Sequence, residues 1–107
     1  MKLVYAIVND DDTYAVTKEL QKHGIRATKL SSTGSFLSRG NTTFMICCKD
    51  EEVETVIESC RAHSRKRKQV VSASTISEGS MSLGQPVEVT IGGATIFVTD
   101  IERFEQV

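Results

Sequence analysis

The sequence predicts an α+β fold in which two amphipathic helices pack on one antiparallel sheet. Short apolar runs rich in β-branched residues recur along the chain, as expected of strands. Two segments between them carry apolar residues at helical spacing. The length of 107 residues, with 39% hydrophobic and 25% charged residues, suits one compact domain rather than two. We therefore expect a single domain over residues 1–107.

The first half of the chain reads as strand, helix, strand. Residues 3–8 form an apolar run typical of a strand, and residues 10–12 are three aspartates that could cap a helix. Ala15, Val16 and Leu20 then lie close to one helical face. Gly24 suits the left-handed end of that helix, and residues 25–31 return to strand.

The second half completes the pattern. Residues 42–49 predict a strand, and a second helix is indicated by Val53, Val56, Ile57 and Cys60 at i, i+3, i+4 and i+7. Residues 95–98 supply a last strand. The order βαββαβ is that of a ferredoxin-like fold.

An insertion precedes the last strand. Residues 69–71 and 87–91 read as two short strands, separated by a stretch rich in serine and glycine. We expect them to form a two-stranded arm over about residues 69–91, with a mobile loop, and Gly92 and Gly93 to turn the chain into the final strand.

Composition argues against several classes of function. The net charge of −1 gives no general attraction to nucleic acid or to an anionic membrane. The apolar run at the start is too short for a secretory signal, and no segment approaches the length of a membrane span. Three cysteines without CxxC spacing favour neither a disulfide framework nor a zinc site. These features predict a cytoplasmic protein.

No catalytic or metal-binding group is indicated by the sequence. His23 and His63 lie at predicted helix ends, where a cation is favourable, and the adjacent Cys47 and Cys48 would point to opposite faces of a strand. The three aspartates are explained by helix capping. The basic run 61–68 is interpreted as a solvated helix end, with help in attracting an anionic ligand as the alternative.

The loop between the second and third strands holds two adjacent apolar residues, Phe36 and Leu37, among turn formers. They could be covered by the protein's own core or by a neighbouring subunit. They could also form the wall of a site for a flat ligand stacked on Phe36. Gly34 and Gly40 do not form a Walker loop, because Asn41 rather than lysine follows Gly40.

Several motifs resemble those of one family. These are residues 26–30 (RATKL), Thr33-Gly34 before Phe36-Leu37, residues 40–44 (GNTTF), and the later stretches 86–89 and 92–98. Together they resemble the PII-like cyclic-di-AMP receptors of the PstA or DarA type, which are related to the nitrogen regulatory protein PII. The resemblance covers almost the whole chain. It implies a homotrimeric, non-enzymatic signalling protein that binds cyclic-di-AMP at subunit clefts, without metal or cofactor, and changes its loops for an unknown downstream partner.

The resemblance also implies the site. The ligand-binding residues would be Arg26, Thr28, Gly34, Phe36, Leu37, Asn41, Cys47 and Gln106. Phe36 and Leu37 would lie beside adenine and Asn41 would hydrogen-bond the ligand, while Cys47 stands where the family typically has a glycine. An alternative is a scaffold of the same fold that has lost nucleotide binding or binds a different nucleotide.

Overall fold

A computed structural model of the protein describes residues 1–30, 40–72 and 86–107, with the backbone alone at positions 71, 72 and 86. Its elements are β1 (Lys2–Asn9), α1 (Thr13–Lys22), β2 (Thr28–Leu30), β3 (Asn41–Cys48), α2 (Val53–His63), β4 (Arg67–Ser72), β5 (Pro86–Ile91) and β6 (Ala94–Asp100). Single 3-10 turns, Asp10–Asp12 and Asp50–Glu52, lead into the two helices. Residues 31–39 and 73–85, which include the predicted loop and the middle of the predicted arm, lie outside the described residues.

The strands form the predicted architecture. Four of them make an antiparallel sheet in the order β2-β3-β1-β6, with β1 in contact with both β3 and β6. This is the strand order of a ferredoxin-like fold, which confirms the prediction. Among the described strands, β4 and β5 pair with each other alone, from Arg67 opposite Ile91 to Ser72 opposite Pro86. The inserted two-stranded arm before the last strand is therefore confirmed as well.

The hydrophobic core lies on one face of the four-stranded sheet. Because side chains alternate along a strand, the even-numbered residues of β1 and β3 share that face. The strand residues buried there are Val4, Ala6, Val8, Phe44, Ile46 and Cys48, and the helices add Val16, Leu20, Val56 and Cys60. Both helices thus pack on the same side, as the fold predicts.

The end of α1 differs from the sequence prediction. The backbone N–H of Gly24 donates to the carbonyl of Gln21, and that of Ile25 donates to the carbonyl of Leu20, both at 3.0 Å. With Gly24 at φ +70°, this is a Schellman motif closed by the buried pair Leu20 and Ile25. Ile25 therefore belongs to the helix end, and β2 begins at Thr28 rather than at position 25.

The end of α2 also differs. The helix stops at His63, so the basic run 61–68 is divided between the helix, a connecting turn and strand β4. His63 is not a free helix end: its Nε2 lies 3.0 Å from Oε1 of Glu19 on α1. His23 Nε2 lies 3.2 Å from the other oxygen of the same carboxylate. The contact with His63 ties the two helices together, and both contacts lower the pKa of Glu19, chiefly the hydrogen bond with His63.

Candidate ligand-binding face

The sheet face opposite the helices, here called the open face, carries the odd-numbered residues of β1 and β3. One row crosses all four strands and consists of Thr28, Met45, Tyr5 and Phe97. The next row consists of Leu30, Thr43, Ile7 and Thr95. No described helix covers these side chains, and Phe97 keeps 46% of its surface exposed. The open face is thus a mixed apolar and polar surface.

Three of the predicted site residues lie on the open face. Thr28 is opposite Met45, Asn41 is opposite Asn9, and Cys47 is opposite Leu3. All three are exposed. Asn41 and Cys47 lie at opposite ends of β3, and at the usual rise of a strand they are separated by about 20 Å. One chain therefore spreads these residues along the sheet and does not gather them around a single ligand position.

Arg26 and Gln106 are exposed and lie outside the strands. Arg26 shares with Thr28 a cavity of about 400 Å³ between α1 and the edge strand β2. Gln106 belongs to the tail after β6, which leaves the sheet beside the start of β1, where Ile101 N–H donates to the carbonyl of Met1. That is the end of the sheet at which Cys47 lies.

The predicted residues Gly34, Phe36 and Leu37 lie outside the described residues. The chain resumes at Gly40, whose φ of +83° suits a glycine. Its carbonyl accepts a hydrogen bond of 2.7 Å from the backbone N–H of Asp10. Thr42 Oγ1 donates to Oδ1 of Asp10 at 2.5 Å. The C-terminal end of this loop is therefore fixed to the 3-10 turn that precedes α1.

The same turn holds the beginning of the arm. Asp12 is 7% exposed, and its carboxylate oxygens accept hydrogen bonds of 2.9 and 3.2 Å from the two terminal nitrogens of Arg67. Arg67 also donates to the carbonyl of Arg65 at 3.1 Å. The helix-capping role expected for the aspartates is not found at Asp12, which makes no side-chain cap bond. Asn9 instead accepts from the backbone N–H of Asp11.

A second cavity, of about 350 Å³, joins the predicted site to the base of the arm. It is lined by Ile7, Asn41, Lys66, Gly92, Gly93, Ala94 and Thr95. Asn41 is the only one of these residues that the sequence analysis assigned to the site. Lys66 was not assigned to the site, because the basic run was interpreted as a solvated helix end, with help in attracting an anionic ligand as the alternative. The available signal was its position directly before the arm, whose other strand leads into Gly92 and Gly93.

The described residues show little reactive chemistry. Among them, no group of three histidine, cysteine or acidic side chains is arranged to hold a metal ion. Burial raises the pKa of the Cys60 thiol to about 11 and also raises that of Cys48. Both thiols are therefore protonated, and poorly nucleophilic, at neutral pH.

None of the described helices has both the length and the apolar character needed to cross a membrane.

Comparison with known proteins identifies relatives of the whole chain. A family model described as cyclic-di-AMP receptor matches residues 1–107. Among solved structures, the crystal structure of a functionally unknown protein from Pediococcus pentosaceus is 38% identical in sequence, with a TM-score of 0.73. The match covers 99% of this chain and 96% of that one.

Proposed function

Because this chain belongs to the cyclic-di-AMP receptor family, we propose that it is a non-enzymatic signal-transduction protein that binds cyclic-di-AMP. The observation that carries the proposal is the family match over all 107 residues. The open face supports it, since the exposed Asn41 amide and the exposed Cys47 thiol, at the two ends of β3, flank apolar side chains. Such a surface suits a ligand with flat bases and polar edges.

The proposed site consists of the eight residues named from the sequence. Thr28 and Asn41 would bind through hydroxyl and amide groups, and Asn41 can both donate and accept hydrogen bonds. Phe36 and Leu37 would lie against adenine, with Gly34 in the same loop. Arg26, Cys47 and Gln106 would contact the ligand at the end of the sheet where Cys47 lies. The spread of these residues along β3 favours a site to which neighbouring subunits contribute different parts.

We propose a homotrimer with the open faces turned inward. The row Thr28, Met45, Tyr5 and Phe97 offers apolar surface that the two helices do not cover. An apolar sheet face of this kind is typical of a subunit interface. Ligand binding in the clefts would order the loops that flank the sheet and change the surface presented to a downstream protein.

A cytoplasmic location is also proposed. Cys47, Cys48 and Cys60 are all free thiols. Unpaired cysteines are usual in the reducing environment inside a cell.

Thermal unfolding with and without cyclic-di-AMP tests the proposed function. A ligand that binds only the folded protein stabilises it by about 2.7 kcal/mol at a concentration one hundred times Kd. The melting temperature should rise with cyclic-di-AMP and not with AMP at the same concentration. An unchanged melting temperature at millimolar cyclic-di-AMP would contradict the proposal.

Variants at Phe36 and Asn41 test the site. Phe36→Ala should remove a base-stacking contact worth about 1–3 kcal/mol, and Asn41→Ala should cost about 1–3 kcal/mol if it leaves a buried partner unpaired. Isothermal titration calorimetry measures both losses, and sedimentation checks that the trimer persists. Unchanged affinity together with a dissociated trimer would show that Phe36 serves the subunit junction instead.

One observation favours a second candidate function. Cys47 places a side chain on the open face where the family typically has a glycine, so a Cβ and a sulfur atom occupy part of the ligand's wall. A protein that has lost nucleotide binding, or binds a different nucleotide, would act as a scaffold through its arm. A trimer that shows no cyclic-di-AMP binding by calorimetry would favour this function.

A further inference from the structure

Most cations of the basic run are neutralised by partners within the chain. Arg61 pairs with Glu58, Arg67 with Asp12, and Lys68 with Glu88 at 3.4 Å. Arg65 and Lys66 differ, because no carboxylate within the described ranges lies within 4 Å of either charged group, and of the two residues Lys66 alone lines the cavity that contains Asn41. The charge of Lys66 is therefore available to a ligand in that cavity.

The backbone of Lys66 is held in place by its neighbours. Arg67 is bonded both to the buried Asp12 and to the carbonyl of Arg65, so the residues on either side of Lys66 are fixed. The backbone of Lys66 is therefore fixed, and its side chain extends from this fixed position.

The methylene groups of the Lys66 side chain pack against Gly93. A Cβ atom added at Gly93 would lie 3.0 Å from Cγ and 3.4 Å from Cε of Lys66. The absence of a side chain at Gly93, which has a φ of +81°, therefore leaves room for the lysine stem. Even a methyl group there would require the stem to shift by a few tenths of an ångström, and the positive φ would strain any side chain at this position.

The cavity that Lys66 lines is suited to an anion. Its seven lining residues include no carboxylate, and besides Lys66 they provide the Asn41 amide, the Thr95 hydroxyl and two glycine backbones. A lysine ammonium is a compact point charge that binds phosphate well. Each phosphodiester of a cyclic dinucleotide carries one negative charge at neutral pH.

We propose that Lys66 binds a phosphate of the cyclic dinucleotide in the cavity that it shares with Asn41, and that Gly93 is required to admit its side chain. This inference rests on the proposed function. It adds a charged contact at the Asn41 end of β3, where the eight predicted residues include no charged side chain. It also brings the ligand to the residue directly before β4, so that ligand binding and the base of the arm would be connected through one side chain.

Calorimetric titration of the full-length protein with cyclic-di-AMP tests the inference. Lys66→Ala should weaken binding about tenfold at low salt, and the affinity should depend less steeply on salt than in the wild type. Lys66→Arg keeps the charge and should bind within about threefold of the wild type. Gly93→Ala should weaken binding in the same direction as Lys66→Ala. Lys68→Ala is the matched control: it removes a nearby cation paired with Glu88, and binding should change less than twofold.

The outcomes separate the two proposals. Wild-type binding that Lys66→Ala leaves unchanged in both affinity and salt dependence would overturn the role of Lys66 while the proposed function stands. Equal weakening by Lys66→Ala and Lys68→Ala would overturn it too, because general charge would then explain the effect. Failure of the wild type to bind cyclic-di-AMP would overturn the proposed function, and this inference with it. Sedimentation and circular dichroism of each variant check that trimer and fold are retained.

Discussion

Asp12 shows how one buried carboxylate can determine the position of a distant segment. Its exposure is 7%, and it is held by both terminal nitrogens of Arg67, which begins the arm. A buried charge without its partner is costly, whereas a bidentate pair satisfies both groups. The ion pair therefore favours the observed position of the arm relative to α1.

We expect Asp12→Asn to destabilise the protein by about 1–3 kcal/mol, because Arg67 would lose its charged partner while remaining partly buried. Urea unfolding measures the change. Glu88→Gln is the matched control, since it breaks the exposed pair with Lys68 and should cost no more than about 0.5 kcal/mol. An equal loss in the free energy of unfolding in the two variants would show that the buried Asp12–Arg67 pair stabilises the protein no more than an exposed pair.

Asp12 also shows why some contacts near the proposed site could not be predicted from the sequence. Asp12 and Arg67 are separated by 55 positions, and a local pattern that includes three aspartates before a helix favours capping. The position of Lys66 beside Gly93 could not be predicted for a related reason, because the two residues are close only in the folded chain. Alternation along strands is local, by contrast, and the predicted strands placed Cys47 and Cys48 on opposite faces, as the structure has them.

At the scale of the elements, the helices and strands followed from their periodicity. The boundaries that moved are those set by hydrogen bonds between elements or at a helix end. Ile25 was expected in β2, but its N–H closes α1 and its side chain is buried with that of Leu20. Periodicity identifies which segments form elements, and end geometry decides where each one begins.

The contact between α1 and α2 predicts a dependence of stability on pH. Hydrogen bonding with His63 lowers the pKa of Glu19 below its ordinary value of 4.5. A carboxyl group whose pKa is lower in the folded state stabilises the fold above its unfolded pKa. That stability is lost as the pH falls from about 4.5 through the folded pKa.

Glu19→Gln should therefore reduce the free energy of unfolding at pH 6 and flatten its fall below pH 4.5. Urea unfolding at a series of pH values measures both effects. Glu54→Gln is the control, because Glu54 is exposed on α2 and forms no ion pair with the described residues. A wild-type pH dependence that Glu19→Gln reproduces in full would rule out the contact between the helices as its source.

At the scale of the whole molecule, the two described helices cover one face of the sheet and leave the mixed apolar and polar open face without a helix from the described residues. The helix-side face is filled by the core residues of β1 and β3, whereas the open face carries Tyr5, Met45 and Phe97. The fold therefore leaves surface that association can bury. Since the proposed ligand site extends along this face, association and ligand binding should depend on the same residues.

Tyr5→Glu tests that dependence. Tyr5 is half-buried at the centre of the open face, so a carboxylate there would be placed in the proposed subunit interface. If the proposed trimer forms, this change should convert it to a monomer at micromolar concentration. The helix-side core is untouched, and the far-ultraviolet circular dichroism should be unchanged. Tyr14→Glu is the matched control, because Tyr14 is 73% exposed on α1 and its replacement should leave the proposed trimer intact.

Sedimentation velocity measures the oligomeric state of each variant, and calorimetry should show that the Tyr5→Glu variant loses cyclic-di-AMP binding together with the proposed trimer. A monomeric Tyr5→Glu variant that binds with wild-type affinity would show that the site lies within one subunit, and a variant that remains trimeric would show that the open face is not the interface.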